Sequence, residues 1–209
     1  MHGPIFWLKA ARAPFFTGSL APIVVGTATA FYETGAVSWP LAVLALLALT
    51  CLHAGANLAN DYYDHLSGND EINVTRAAPF TGGSRFIQDG IARPWEILAA
   101  SLVSLAIGAA IGVYLVAVAG WPILLLGIIG GASGFFYTAP PLKLGYRGLG
   151  EPFILLDFGL LPVLGAHYVQ SHTFPASAVI GGLMVGLLMT NVLWINQFQD
   201  AEADAAVNK

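Results

Sequence analysis

Charge is what this sequence has least of. Only 10% of its 209 residues are Asp, Glu, Lys or Arg, against about a quarter in soluble domains. No charged side chain occurs from Ile97 to Leu142, Glu33 alone interrupts Ala13 to Asn60, and Asp157 alone interrupts Pro152 to Gln199. Apolar runs of this length exclude a soluble helical fold and point to membrane-spanning helices. Cysteine is nearly absent too. Cys51 is the sole one, so no disulfide framework exists, and within its apolar run it reads as a small packed hydrophobe. The net charge of −4 is uninformative, because the charges are so unevenly spread.

What is present is apolar: 56% hydrophobic residues and a mean hydropathy of +0.71. The fold expected is all-α, a multi-pass transmembrane bundle of about six helices in a single domain over residues 1–209. Met1 to Arg12 reads as an interfacial lead-in, with Phe6 and Trp7 suited to headgroup level. Lys9 and Arg12 precede an apolar run, but several comparable runs follow, so a signal peptide is not expected. Helix one is expected from about Pro14 to Tyr32 with a kink at Pro22, and helix two from about Pro40 to Tyr63. A polar loop of about thirty residues follows, a length usual for functional loops. Helix three is expected from about Trp95 to Val118, and helix four ends near Phe135-Phe136-Tyr137. A second polar loop, Pro140 to Glu151, leads to helix five; Gln170 to Pro175 turns the chain, and helix six reaches Asp200.

Six helices place the connections at Glu33–Pro40, Ala119–Pro122 and Gln170–Pro175 on one side, and these contain no Lys or Arg. The eight basic residues, Lys9, Arg12, Arg76, Arg85, Arg93, Lys143, Arg147 and Lys209, fall on the other. The positive-inside rule makes that side cytoplasmic. The acids crowd the same side, Glu33 excepted.

Two polar segments organise the rest. His53, Asn57, Asn60, Asp61 and Asp64 share one helix face and run on to Asp70, while Asn196, Asp200 and Asp204 close the last helix. An Asp at a membrane helix centre costs about 2.5–3.5 kcal/mol and like charges repel, so a cation is expected among them. Mg²⁺ takes one or two carboxylates plus substrate phosphate oxygens. Arg76, Arg85, Lys143 and Arg147 in the facing loops would hold the same phosphates. Read from residues alone, this is a Mg²⁺-dependent enzyme acting on a lipid diphosphate in the bilayer.

Asn57-x-x-Asn60-Asp61-x-x-Asp64-x(5)-Asp70 with Asp200-x-x-x-Asp204 resembles the two signature motifs of the UbiA superfamily of intramembrane aromatic prenyltransferases. Gly82-Gly83-Ser84-Arg85-x-Ile87-Gln88, Tyr137-Thr138-Ala139-Pro140-Pro141-Leu142-Lys143 and Tyr146-Arg147-Gly148-Leu149-Gly150-Glu151 resemble its loops, most nearly in the branch that prenylates 1,4-dihydroxy-2-naphthoate for menaquinone biosynthesis. The resemblance runs from Lys9-Ala10-Ala11-Arg12-Ala13-Pro14 onward. It implies Asp61, Asp64, Asp70, Asp200 and Asp204 as Mg²⁺ ligands on an allylic polyprenyl diphosphate. It implies that Arg85, Lys143 and Arg147 neutralise the departing diphosphate, with Asn57, Asn60, Gln88, Tyr137 and Asn196 as further substrate contacts. An aromatic acceptor then attacks the allylic cation, with Tyr137, Phe135 or Tyr62 as faces that could steady it. Other acceptors, 4-hydroxybenzoate or homogentisate among them, remain open. Where the family's second motif continues to Gly-Lys this chain has Asn208-Lys209, and Gln199 stands where the naphthoate branch often has Arg. No nucleic-acid partner is expected. The location implied is the bacterial inner membrane.

Two other classes fit less well. Asp89-Gly90-Ile91-Ala92-Arg93 looks like the start of a CDP-alcohol phosphotransferase motif, but no acid lies between Glu96 and Glu151 to complete it. A cation transporter would carry its acids near the midplane in broken helices, whereas these sit at one boundary beside basic loops. Asp157 either lines the cavity or pairs with a basic loop residue. His167 and His172 read as interfacial, and His53 as either a site group or a packing one. Lys209 follows directly on the second motif, and members of the resembled family continue through further helices. The 209 residues are therefore expected to be a C-terminally truncated part of a chain of roughly three hundred.

Overall fold

Proline opens several of the helices described in this chain, and glycine closes several. In a computed structural model describing residues 2–72 and 83–206 (side chains of residues 70, 72 and 202–204 excepted), α1 spans Pro4–Ala10 and a 3₁₀ turn spans Ala13–Phe16. The longer helices follow: α2 Thr17–Thr34, α3 Trp39–Ser67, the short α4 Asn69–Ile72, α5 Pro94–Ala119 and α6 Trp121–Phe136. A second 3₁₀ turn at Leu144–Arg147 leads to α7 Gly150–Leu155, a π turn Leu156–Leu160, α8 Leu161–Ser171 and α9 Ala176–Ala206. No strand occurs among the described residues. Pro4, Pro40, Pro94 and Pro122 occupy first turns, where the missing N–H would be unpaired anyway. Gly35 and Gly68 end α2 and α3 at φ 70° and 78°, a conformation that costs other residues dearly.

Five helices are long and apolar enough to cross a membrane: Ala13–Thr34, Trp39–Ser67, Pro94–Ala119, Gly150–Ser171 and Ala176–Ala201. The sixth, α6, is shorter but equally apolar. Large side chains such as Val103, Val113, Leu187 and Leu188 face outward from these helices, as a lipid solvent requires. This is a multi-pass membrane bundle.

Both ends of the bundle agree with the connections expected from sequence. At one end the Ser38 amide donates to Gln170 Oε1 (2.8 Å), Gln170 Nε2 donates back to the Ser38 carbonyl (3.1 Å), and His172 Nδ1 donates to the Ala119 carbonyl (3.2 Å). Exposed Tyr32, Trp39 and Trp121 ring that end at the level where amphipathic aromatics settle. At the other end lie the polar loops and the aspartates.

Inside, α3 packs along α5, α2 packs against α8 and α9, and α9 lies on the π turn. Small residues let these backbones approach. Ser101 Oγ donates to the Gly55 carbonyl across the α3–α5 contact at 2.7 Å. A Cβ on Gly159, in the π turn, would stand 2.4 Å from the Gly186 Cα of α9.

Pro22 is buried inside α2, which continues through it to Thr34. Two details differ from the expectation. α3 runs a turn beyond Tyr63 to Ser67, a turn held by the bonds of Asp64 to Asn60 and Tyr146 and of Ser67 to Tyr146. His167 is fully buried instead of interfacial, with Nδ1 on Thr29 Oγ1 (3.0 Å) and Nε2 3.5 Å from Glu33.

Candidate active site

The last three turns of α3 carry Asn57, Asn60, Asp61 and Asp64 on one face, as a 3.6-residue repeat demands. Both carboxylates are almost wholly buried, Asp61 to 3% and Asp64 to 4% exposure. Buried charge survives only with partners, and each has a full set. Asp61 accepts from Arg12 Nη2 on one oxygen and from the Ser84 amide on the other, the latter at 3.0 Å. The same Arg12 nitrogen donates to Asn60 Oδ1 at 3.0 Å, and Asn60 Nδ2 donates to Asp64 Oδ2 at 3.1 Å. Tyr146 Oη donates to Asp64 Oδ1 at 2.9 Å and lies 3.1 Å from Ser67 Oγ. Asn57 Nδ2 donates to the Ala11 carbonyl at 3.0 Å, fastening the N-terminal lead-in to the same face.

Arg12 reaches Asp61 from the left-handed region, φ 56° and ψ 51°. Arg85 and Lys143 share that conformation, at φ 61° and 46°. Three basic loop residues held where non-glycine residues rarely sit is backbone strain gathered around one site.

Below these groups opens a cavity of about 1060 Å³. Arg12, Asn57, Asn60, Asp64, Asn196 and Asp200 line its mouth, and Tyr137 lines its wall. Farther in, the lining becomes aliphatic and glycine-rich, with Leu49, Leu52, Gly108, Leu115, Ile123 and Val169 among it. A polar mouth with an apolar interior is the shape for an amphiphile with a charged head.

The expected site residues do not all converge. Asn57, Asn60, Asp64, Tyr137, Asn196 and Asp200 do; Asp61 stands behind Arg12. Arg85 lies 3.8 Å from Asp89, Lys143 Nζ sits 5.1 Å from the Tyr146 ring centre, and Arg147 is exposed with a 3.3 Å bond to the Pro141 carbonyl. None of these three lines the cavity, nor does half-buried Gln88 on the loop of Arg85. The side chains of Asp70 and Asp204, and all of Arg76, Gly82, Asn208 and Lys209, lie outside the described residues. His53 is structural in its partners: its Nδ1 pairs with Ser19 Oγ at 2.9 Å.

Sequence reasoning missed two residues. The sequence shows Arg12 only as the end of a headgroup lead-in and Tyr146 only as part of a polar loop. The signal that could have found Arg12 is its place as the nearest cation upstream of an acid-tipped helix hairpin.

Among the described residues no three Asp, Glu, His or Cys side chains converge as a closed metal cage. Asp64 and Asp200 on one mouth fit the other kind of site, in which Mg²⁺ is held by one or two carboxylates and completed by substrate phosphate.

An intramembrane helical bundle around a carboxylate-mouthed, apolar-walled cavity is the class of protein these features define. The chain belongs to the UbiA prenyltransferase family, whose sequence pattern it matches over residues 19–209. It is 32% identical over 203 residues to a protein of Mycobacterium tuberculosis named 1,4-dihydroxy-2-naphthoate octaprenyltransferase, covering 97% of this chain and 67% of that one. It is 33% identical over 204 residues to the Escherichia coli protein of the same name, covering 95% and 64%. The chain thus spans about two thirds of the length of these relatives. The fold is shared with a UbiA homolog from Archaeoglobus fulgidus, solved bound to DMAPP and Mg²⁺, at a TM-score of 0.74 and 19% identity over 97% of this chain and 66% of that one.

Proposed function

We propose that the protein transfers a polyprenyl group from an allylic polyprenyl diphosphate to 1,4-dihydroxy-2-naphthoate, with Mg²⁺, at the cytoplasmic face of the inner membrane. The observation that carries this reading is the cavity itself, whose mouth is lined by Asp64, Asp200, Asn60 and Arg12 and whose interior is aliphatic. The naphthoate acceptor is supported by the names of relatives at 32% and 33% identity. The side is supported by the basic residues of the polar loops.

The diphosphate fits the mouth and the prenyl tail fits the apolar interior. Bound there, Mg²⁺ would be held by Asp64 and Asp200, with Asp61, Asp70 and Asp204 as further candidates, and would supply charge stabilisation to the leaving diphosphate. Asn60 and Tyr146 orient Asp64 through its two oxygens. Arg12 holds Asp61 and Asn60 in register with it. As the allylic C–O bond breaks, its electron pair leaves with the diphosphate. A ring carbon of the acceptor then bonds to the allylic carbon in a chamber that keeps water away, and the aromatic ring is restored as that carbon gives up its hydrogen as a proton to the departing diphosphate. Tyr137, held over Gly145 and Gly150, is placed along that wall.

The test is transfer of a labelled prenyl group in membranes containing the protein, with a panel of aromatic acceptors and Mg²⁺ present or chelated. The expected result is a prenylated naphthoate that needs Mg²⁺. Transfer to 4-hydroxybenzoate alone would overturn the acceptor, and turnover in excess chelator would overturn the metal.

A further inference from the structure

Asp157 is an acid in the middle of a membrane span that the mouth of the site does not use. It lies seven residues into the span that begins at Gly150, about 10 Å deep at 1.5 Å per residue. The sequence left two readings open, a cavity wall or a basic partner, and the structure puts Asp157 on the cavity. Its partner is Ser133 of α6, with Oγ 2.7 Å from Asp157 Oδ1. Among the described residues it has no other.

That single bond does not satisfy the carboxyl. The Ser133 hydroxyl carries one proton, and its Oγ also lies 2.7 Å from the Ile129 carbonyl and 3.2 Å from that of Gly130. Serine in a helix commonly bonds back to the i−4 carbonyl, so one proton is claimed from two sides. Asp157 is left with acceptor capacity facing the cavity. The backbone there is equally unusual. The π turn Leu156–Leu160 interrupts an otherwise α-helical span at this residue, and such turns gather at functional sites. Phe158, the next residue, presents its ring to His53 at 4.6 Å, and both line the same cavity.

We propose that Asp157 is the residue that recognises the aromatic acceptor, accepting a hydrogen bond from one of its ring hydroxyls. This rests on the prenyltransferase reading and deepens it. The chemistry of the two substrates decides the assignment. A prenyl tail has no hydrogen-bond donor, and an ionised diphosphate offers only acceptors. A hydroxylated aromatic supplies both the donor that Asp157 lacks and a ring to lie against Phe158. A phenol lacking its hydroxyl, or a site lacking its acceptor, leaves a buried polar group unpaired, which is how such sites discriminate.

The competing account is that Asp157 and Ser133 merely tie α6 to the π turn. Steady-state kinetics of the complete membrane protein separates the two. Asp157→Ala should raise the KM for the acceptor roughly five- to a hundredfold, the range for a buried hydroxyl left without its partner, and leave the donor KM unchanged. Ser133→Ala, which removes the tie and keeps the carboxyl, should keep acceptor KM near normal. The detergent-purified protein should gain thermal stability from the acceptor, and Asp157→Ala should lose that gain while keeping the gain from the donor.

A variant that does not fold leaves the proposal open to the unmodified protein. There, methyl ethers of the acceptor hydroxyls should show the same rise in KM. Equal use of phenol and ether, an unchanged acceptor KM in Asp157→Ala, or equal shifts in both KM values would each overturn the inference while the prenyltransferase reading stands. Absence of transfer to every hydroxylated aromatic by the unmodified protein would overturn both.

Discussion

At Arg12 and Arg85 the same side chain does two different jobs. Arg12 is mostly enclosed, and it meets a carboxylate with 4% side-chain exposure. Arg85 reaches Asp89 at 3.8 Å with that acid half exposed. Removing one partner of a buried pair costs about 3–5 kcal/mol, because the other charge stays behind, whereas an exposed pair contributes about 0–1 kcal/mol. Arg12→Ala is therefore expected to lower the unfolding temperature clearly and to abolish transfer, since Asp61 and Asn60 lose their anchor. Arg85→Ala leaves no buried carboxylate behind at Asp89 and should lower the unfolding temperature less than Arg12→Ala does. Thermal unfolding in detergent beside a transfer assay checks both, and equal stability of the two variants would sink the argument. Asp64→Asn should fold and yet lose about two or more powers of ten in rate, the scale of a lost charge-stabilising ligand. The acids were legible in the sequence because a charge inside an apolar run is conspicuous. Arg12 was not, because a lone arginine beside a membrane normally rests its head in water. Nothing in its neighbours betrays a left-handed backbone. The Tyr146 bond to Asp64 joins residues 82 apart in sequence, a separation that spacing does not encode.

Helices are the part of the molecule that sequence described best, because length and hydropathy are summed over many residues and small errors cancel. Ends were worse: α3 outran its expected end by a turn, since the tertiary partners of Asp61, Asp64 and Ser67 satisfy groups that hydropathy treats as loop. The π turn at Leu156–Leu160 was invisible, as a single inserted residue leaves periodicity almost untouched. Its packing is nonetheless open to test. A Cβ on Gly159 would meet Gly186 Cα at 2.4 Å and the Gly182 carbonyl at 2.5 Å, both backbone and unable to yield. Gly159→Ala should therefore destabilise by about 1–3 kcal/mol through overpacking. Gly127→Ala has open space around its Cβ, and should be neutral or stabilising by about 0.5–1 kcal/mol, the helix-propensity gain. Thermal unfolding of the two variants side by side gives the comparison, and a Gly159→Ala protein as stable as Gly127→Ala would mean that α9 slides freely on the π turn.

For the whole molecule, the two faces differ in chemistry and not only in position. One carries Ser38, Gln170 and His172, whose hydrogen bonds tie three helix connections together. The other carries the cations Arg12, Arg85, Lys143 and Arg147 and the acids they serve. Each cationic side chain is costly to move through hydrocarbon, about 2.5–3.5 kcal/mol apiece on insertion scales, so the basic end is the one expected to remain in the cytoplasm. Single cysteines in a Cys51→Ser background report this directly. Ala36 and Leu149 are both exposed, one beside Gly35 at the neutral face and the other in the polar loop that ends at α7. Ala36→Cys should react with an impermeant maleimide from outside intact cells. Leu149→Cys should react only in inverted vesicles. Labelling of both from the same side would contradict the paired connections of the fold, and the reverse pattern would put the aspartates, and with them the diphosphate site, on the outer face of the membrane.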